Sequence, residues 1–198
     1  MAGTVIFLSF SLLVCILNLG GSVFGKANDY IRDACSVTRY QDLCIHSLAP
    51  FSHIAKRSPS KWARAGVSVT LADVKEVAQY LTKLKKSNHV IGRKGVALSD
   101  CVEVFDNAVD ELHKSLGLVR KLNARNFEEQ IEDLTTWLST VLTDEDTCLE
   151  GLKGADSLRR KESRMLQNRV LNTTYFTSNA LALVNKLATT GLGSFDAP

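Results

Sequence analysis

Proline is scarce in this chain. Among its 198 residues there are three, Pro50, Pro59 and Pro198, so almost nothing between Ser60 and Ala197 forbids long helices. A strong excess of either charge is missing too. The formal net charge is +3, with basic residues scattered among acidic ones, which gives no argument for a nucleic-acid partner. Catalytic signatures are absent. There is no GxSxG, no HExxH and no glycine-rich phosphate loop. The histidines, His46, His53, His89 and His113, are far apart in sequence. No CxxC pair occurs and no cysteine stands at zinc-finger spacing from a histidine, which makes metal binding the poorer reading. An enzyme is not expected, and neither is a cofactor.

Long apolar runs are confined to the amino terminus. "MAGTVIFLSFSLLVCILNLGGSVFG", residues 1–25, has no charged side chain. Its apolar run from Val5 to Leu17 is too short for a spanning helix of about 20 residues. Small residues follow at Gly20, Gly21, Ser22 and Gly25. This pattern is that of a secretory signal peptide cleaved between residues 21 and 27. The alternative is an uncleaved anchor, since the first residues carry no Lys or Arg. No second run of this kind follows, so the mature chain is expected to be secreted and to have no membrane span.

Secretion changes the meaning of the cysteines. Cys15 leaves with the signal, and Cys35, Cys44, Cys101 and Cys148 remain. An even number in a secreted chain suggests two disulfides, with no thiol left over as a nucleophile.

What remains is helical periodicity. The stretches "NDYIRDACSVT" and "YQDLCIHSLAP" each read as two or three turns of helix, broken around Thr38 and Arg39. A hairpin over residues 28–58 would bring Cys35 and Cys44 close. "KRSPSK" reads as a linker, with Ser58 or Ser60 as an N-cap. Four longer segments follow, Ser60–Ser87, Lys94–Leu122, Phe127–Leu152 and Ser157–Ala188. Each carries one apolar stripe with spacings of three and four, for example Val67, Leu71, Val74, Ala78 and Leu81. No stretch alternates like a strand over more than a few residues. The expected fold is all-α, an antiparallel up-and-down four-helix bundle over residues 60–190 with the N-terminal hairpin as an appendage.

The bundle places the cysteines. Cys148 and Leu149 continue the apolar face of Leu138, Val141 and Leu142, and Trp137 is assigned to the same face. Cys101 lies in its own stripe between Leu98 and Phe105. Cys101 is near the start of one helix and Cys148 near the end of the next, which antiparallel packing brings together. That favours Cys101–Cys148 and, by exclusion, Cys35–Cys44. Cross-linking the longer loop would contribute about 4 kcal/mol and the shorter one about 2.7 kcal/mol in the chain-entropy account.

Three surface features invite a functional reading. Asp144, Glu145 and Asp146 could be proposed as a metal or acid–base site, but an exposed, solvated cluster near a helix end is expected. Glu103, Asn107, Asp110 and Lys114 fall within about 60° of one another on one helix, nearly opposite the Cys101–Phe105–Leu112 stripe. That face must be outside the bundle, where it is either merely solvated or a docking surface of carboxylates and amides. Asn172-Thr173-Thr174 is an N-glycosylation sequon off the apolar stripe.

The blocks "IRDACSVTRYQDLCIHSL", "ALSDCVEVFDNAVDELHKSL", "TTWLSTVLTDEDTCLEGL" and "TSNALALVNKL" closely resemble the plant invertase and pectin methylesterase inhibitor family, across essentially the whole mature chain. "WLSTVLTDEDTC" is the most specific. It is similar to the Trp-Leu-Ser-Ala-Ala-Leu-Thr…Thr-Cys stretch of pectin methylesterase inhibitors, with Thr140-Val141 standing where two alanines are common. The resemblance implies a four-helix bundle with an N-terminal hairpin, disulfides pairing first with second and third with fourth, and no enzymatic activity. It also implies that the protein covers the substrate cleft of a carbohydrate-active enzyme of the cell wall, in a non-covalent 1:1 complex. On this sequence the partner-binding candidates are Glu103, Asn107 and Asp110 on one helix with Thr147 and Glu150 on the next. Invertase inhibitors commonly carry Pro-Lys-Phe between these two helices. Here the connection is "KLNARNFEEQ", which keeps Phe127 behind Arg125-Asn126, so pectin methylesterase is the expected partner and invertase the alternative. A secreted structural or ligand-carrying helical protein is a further alternative. Because the chain ends soon after its last helix, it is expected to be a stand-alone inhibitor and not the pro-region of an esterase.

Overall fold

The computed structural model describes residues 27–87, 93–153 and 160–192. The expected signal peptide at residues 1–25, the start of the last helix at Ser157, and His89 lie outside these. Every described element is helical. The order is α1 over residues 27–35, then α2 Gln41–Leu48, a 3-10 turn Ala49–Phe51, α3 Ser52–Ala55, α4 Pro59–Ser87, α5 Arg93–Val119, α6 Phe127–Lys153 and α7 Arg160–Thr190.

Local chemistry sets the helix ends. Pro59 opens α4 at the position where a missing N–H costs nothing, and the Lys61 N–H donates to Ser58 Oγ at 3.2 Å. Ser58 is therefore the cap of the two serines considered. α5 stops at Val119, before the expected Leu122. Just beyond it the Asn123 side chain accepts from the N–H groups of Arg125 and Asn126, both at 3.1 Å, and builds a turn in place of another helical turn. Glu128 and Glu129 begin α6 and Lys153 ends it, the charge order that the helix dipole favours. α7 ends at Gly191, whose φ of +72° and N–H bond to Leu187 O at 2.8 Å make a left-handed C-cap. The expected linker Lys56–Lys61 is a turn at Lys56 and Arg57 that runs directly into α4 at Pro59, and α3 with the 3-10 turn fills the chain just before it.

The four long helices pack in a ring, α4 on α5, α5 on α6, α6 on α7 and α7 back on α4. This is the up-and-down bundle expected from the stripes. Its centre holds Val67, Val74 and Leu81 of α4, Phe105 and Leu112 of α5, Leu134, Leu138 and Val141 of α6, and Leu166, Val170 and Leu187 of α7, all without exposed surface. Truncating one of these to alanine costs about 2–5 kcal/mol. The hairpin α1–α2 rests on α4 and α7. Asn179 of α7 fastens it, accepting from Tyr40 N at 3.2 Å and donating to Tyr40 O at 2.9 Å. The Tyr40 and Tyr175 rings stack beside this, 4.1 Å between centroids. The disulfides are Cys35–Cys44 and Cys101–Cys148, the pairing argued from the sequence. One staples the hairpin and the other joins α5 to α6.

One local expectation was wrong. Glu145 is not a solvated member of an acidic cluster but has no exposed surface at all. Its position four residues after Val141 and three before Cys148 puts it on the inward stripe of α6. There Thr177 of α7 donates to Glu145 Oε1 at 2.8 Å.

Candidate partner-binding face

The outer surface of α5 and α6 is built from the same periodicity that builds the core. Phe105, Ala108 and Leu112 are buried on one side of α5, so Glu103, Asn107, Asp110 and Lys114 emerge on the other. All four are exposed. On α6, Leu138, Val141 and Cys148 point inward, which leaves Thr147 and Glu150 outside. Trp137, assigned to the apolar face, is half-buried at its edge.

The disulfide fixes how the two surfaces align. Cys101 and Cys148 have their Cα atoms 4.7 Å apart. With the helices antiparallel, Thr147 then lies at the level of Glu103, and Glu150 lies on the other side of the disulfide from both. Farther along, Asn107 Nδ2 donates to Asp144 Oδ2 at 2.6 Å, a bond from α5 to α6. The bundle thus brings Glu103, Asn107 and Thr147 onto one continuous surface. Asp110 extends it one turn farther along α5.

The side chains differ in what is free to meet a partner. Asn107 is committed to Asp144 by one donor. Thr147 donates to Thr143 O at 2.7 Å, back into its own helix, so its methyl group and oxygen lone pairs are what it presents. Glu150 makes an exposed ion pair with Lys153 at 2.7 Å, a type of pair that contributes little to stability. Burial pushes the Asp144 carboxyl above its ordinary value. The bond from Asn107 pulls it down and the nearby Glu111 charge pushes it up again. Glu111 is itself held by Lys114 at 2.8 Å, with its other oxygen buried and without a hydrogen-bond partner among the described residues. The seam between α5 and α6 therefore carries two carboxylates, Asp144 bonded by the Asn107 amide and Glu111 paired with Lys114.

Sequence reasoning missed the threonine row on α6. Thr136, Thr140, Thr143 and Thr147 follow the spacing four, three, four along one side of the helix, and Thr140 and Thr143 bond back to their own helix as Thr147 does. The spacing was legible. It was passed over because threonine is neither apolar nor charged. Asn172, the sequon asparagine, is exposed on α7. No helix among the described residues is long and apolar enough to cross a membrane.

Comparison with known proteins agrees with this architecture. The sequence profile of the plant invertase/pectin methylesterase inhibitor family matches residues 29–183. The chain is 48% identical over 164 residues to pectinesterase inhibitor 6 of Arabidopsis thaliana, covering 82% of this chain and 77% of that protein. It is 31% identical to pectinesterase inhibitor 9 of the same plant, covering 92% and 93%. It is also 31% identical to a 21 kDa protein of Daucus carota, covering 91% and 94%. The crystal structure of a pectin methylesterase inhibitor from Arabidopsis thaliana superposes with a TM-score of 0.56 at 19% identity, covering 79% of this chain and 95% of that one. At that identity the likeness speaks for the fold alone.

Proposed function

The chain belongs to the plant invertase/pectin methylesterase inhibitor family, and from that membership we propose that it is a secreted inhibitor of pectin methylesterase acting in the cell wall. It is a member of an inhibitor family and not an enzyme. The α5–α6 surface lies across the esterase cleft that would hold pectin, and inhibition is steric, non-covalent and one to one. Glu103, Asn107 and Asp110 meet the enzyme from α5, and Thr147 and Glu150 meet it from α6.

The observation that carries this reading is the covalent bond between the two helices that present the face. Cys101–Cys148 holds α5 and α6 in one register. The polar groups are then already placed before the complex forms, which lowers the ordering cost of binding. The connection between these helices reads Lys121 to Gln130 without Pro-Lys-Phe, and this favours the esterase over an invertase as target. Asn172 is proposed as a glycan site on α7, away from the α5–α6 surface.

Titration of the oxidised mature protein into a plant pectin methylesterase at mildly acidic pH tests the proposal, with a vacuolar and a cell-wall invertase run beside it. Stoichiometric loss of esterase activity with both invertases untouched is the expected result. Loss of invertase activity alone would transfer the face to the other target class. No effect on any of them would leave a structural or ligand-carrying role.

A further inference from the structure

Around the α3–α4 turn the chain carries basic side chains without acidic ones among them. Between Asp42 and Asp73 the sequence has no Asp or Glu, while Lys56, Arg57, Lys61 and Arg64 all fall there. The fold gathers these four with Arg120 at the end of α5 along two adjoining grooves. The larger, about 480 Å³, is lined by Tyr30, Ile54, Lys56, Arg57 and Lys61. The second, about 240 Å³, shares Ile54 and Lys61 and adds Phe51, Arg64 and Arg120. All five cationic side chains are exposed, and none of them has a carboxylate within ion-pair distance among the described residues. Asp33, which lines a small pocket with Lys56 and Arg57, is engaged by Lys186 at 3.0 Å.

The turn that carries the first two cations is held rigid. Lys56 has a φ of +48°, a backbone conformation that a non-glycine residue keeps only when its surroundings enforce it. Here the buried Trp62 does so, its indole N–H donating to Lys56 O at 2.9 Å. The Arg57 guanidinium lies 5.8 Å from the Tyr30 ring centre. Ile54, at the junction of both grooves, is 69% exposed, the most exposed large apolar side chain described. Lys61 and Arg64 stand one turn apart on α4, about 5–6 Å from each other, and Arg57 lies in the turn just before the helix. The grooves therefore offer an apolar floor beneath a line of unpaired cations.

We propose that these grooves bind a de-esterified pectin chain, a linear polyuronate with a carboxylate on each sugar. The carboxylates would pair with Arg57, Lys61, Arg64 and Arg120, and the C–H faces of the sugars would lie over Tyr30, Phe51 and Ile54. Charge complementarity with a regularly spaced polyanion argues for this occupant, and the choice of that polyanion rests on the proposed function. The uronate chain is what a pectin esterase leaves behind. An inhibitor that binds it is retained where its target has already worked, with the α5–α6 face left for the enzyme.

The test is binding of the full mature protein to a short galacturonate oligomer and to its fully methyl-esterified counterpart, by calorimetry at low and at raised salt, with esterase inhibition measured on the same samples. The free-acid oligomer is expected to bind, the ester to bind at least about tenfold more weakly, and added salt to weaken the first. Lys61→Ala with Arg64→Ala and Arg120→Ala should weaken binding at least about tenfold and leave inhibition unchanged. Arg120→Gln alone, with an unaltered helical circular dichroism spectrum, guards against a folding defect and should weaken it in the same direction. Equal binding of acid and ester, equal binding by wild type and the triple variant, or tighter binding of heparin or phosphatidylserine vesicles would overturn the proposal. Wild-type protein that binds the oligomer but inhibits no esterase supports the groove and removes the inhibitory reading instead.

Discussion

Glu145 of α6 and Thr177 of α7 meet at 2.8 Å inside the bundle, where neither side chain reaches water. Asp146 and a second carboxyl, Asp73 of α4, add to the cost of ionising Glu145. Burial pushes Glu145 from an ordinary 4.5 up to about 8, against the pull of Thr177 and Thr173. Asp73 goes from 3.8 up to about 6, chiefly by burial and then by Glu76, with Arg169 pulling it down. An acid whose folded pKa is raised holds its proton more tightly in the fold than in the unfolded chain. Its contribution to stability is complete below the unfolded pKa and is lost as pH rises through the folded value.

The melting temperature should therefore fall as pH is raised from about 5 to about 8. Glu145→Gln, which stays neutral and can still accept from Thr177, should flatten that slope and make the variant more stable than wild type near pH 8. Scanning calorimetry at several pH values measures both. A wild-type melting temperature that rises steadily across this window would contradict a neutral buried Glu145.

Two glycines should respond oppositely to the same substitution. A Cβ on Gly66 of α4 would stand 2.9 Å from Leu183 Cδ1 and 3.4 Å from Ala180 Cα, where α4 and α7 approach closely. Leu183 is buried and has little room to yield. Overpacking of about 1–3 kcal/mol exceeds the gain in helix propensity of about 1 kcal/mol. Gly117 of α5 has nothing within 4 Å of the added carbon. Gly66→Ala should lower the melting temperature and Gly117→Ala raise it, by roughly 2–4 °C for the latter. Shifts of the same sign would refute the close approach.

Asn179→Ala should loosen the N-terminal hairpin ahead of the bundle. It removes two hydrogen bonds to the backbone of Tyr40 and leaves its N–H without that acceptor, at about 1–3 kcal/mol, while its C=O keeps the bond from the Cys44 N–H at 2.9 Å. Amide hydrogen exchange should speed up in residues 27–48 and stay slow in the centres of α5 and α6. Uniform acceleration along the whole chain would mean that hairpin and bundle open as one unit.

The bundle was legible because apolar periodicity is a one-dimensional property. Leu98, Cys101, Phe105 and Leu112 announce a buried stripe wherever the helix sits, and the cysteine pairing follows once neighbouring helices are antiparallel. Glu145 was misread for the same reason. A carboxylate between two other acids reads as surface, and only the helix phase set by Val141 and Cys148 turns it inward, where Thr177 from a remote segment meets it. The Asn179–Tyr40 contact was out of reach, since it joins residues 139 positions apart with no pattern to link them. The cationic grooves are likewise a product of assembly, because Arg120 joins Arg64 only through the packing of α4 on α5.

The α5 face gives the sharpest test of inhibition. Glu103 and Asp110 are exposed carboxylates that stand on either side of Asn107 along one helical row, so changing them disturbs no core contact. Glu103→Lys with Asp110→Lys reverses the local charge while the Cys101–Cys148 bond keeps the backbone in place. Exposed charges at an interface act mainly on the association rate and on its salt dependence. The double variant should inhibit about tenfold to a hundredfold more weakly at low salt, with a smaller deficit at high salt. Asn107→Ala breaks the bond to Asp144 and should weaken inhibition with little change in salt dependence, because the group removed is neutral. Surface plasmon resonance on immobilised esterase separates the two effects. If the double variant associates and dissociates as wild type does, the enzyme is met by another face, and the threonine row Thr136 to Thr147 on α6 becomes the next surface to alter.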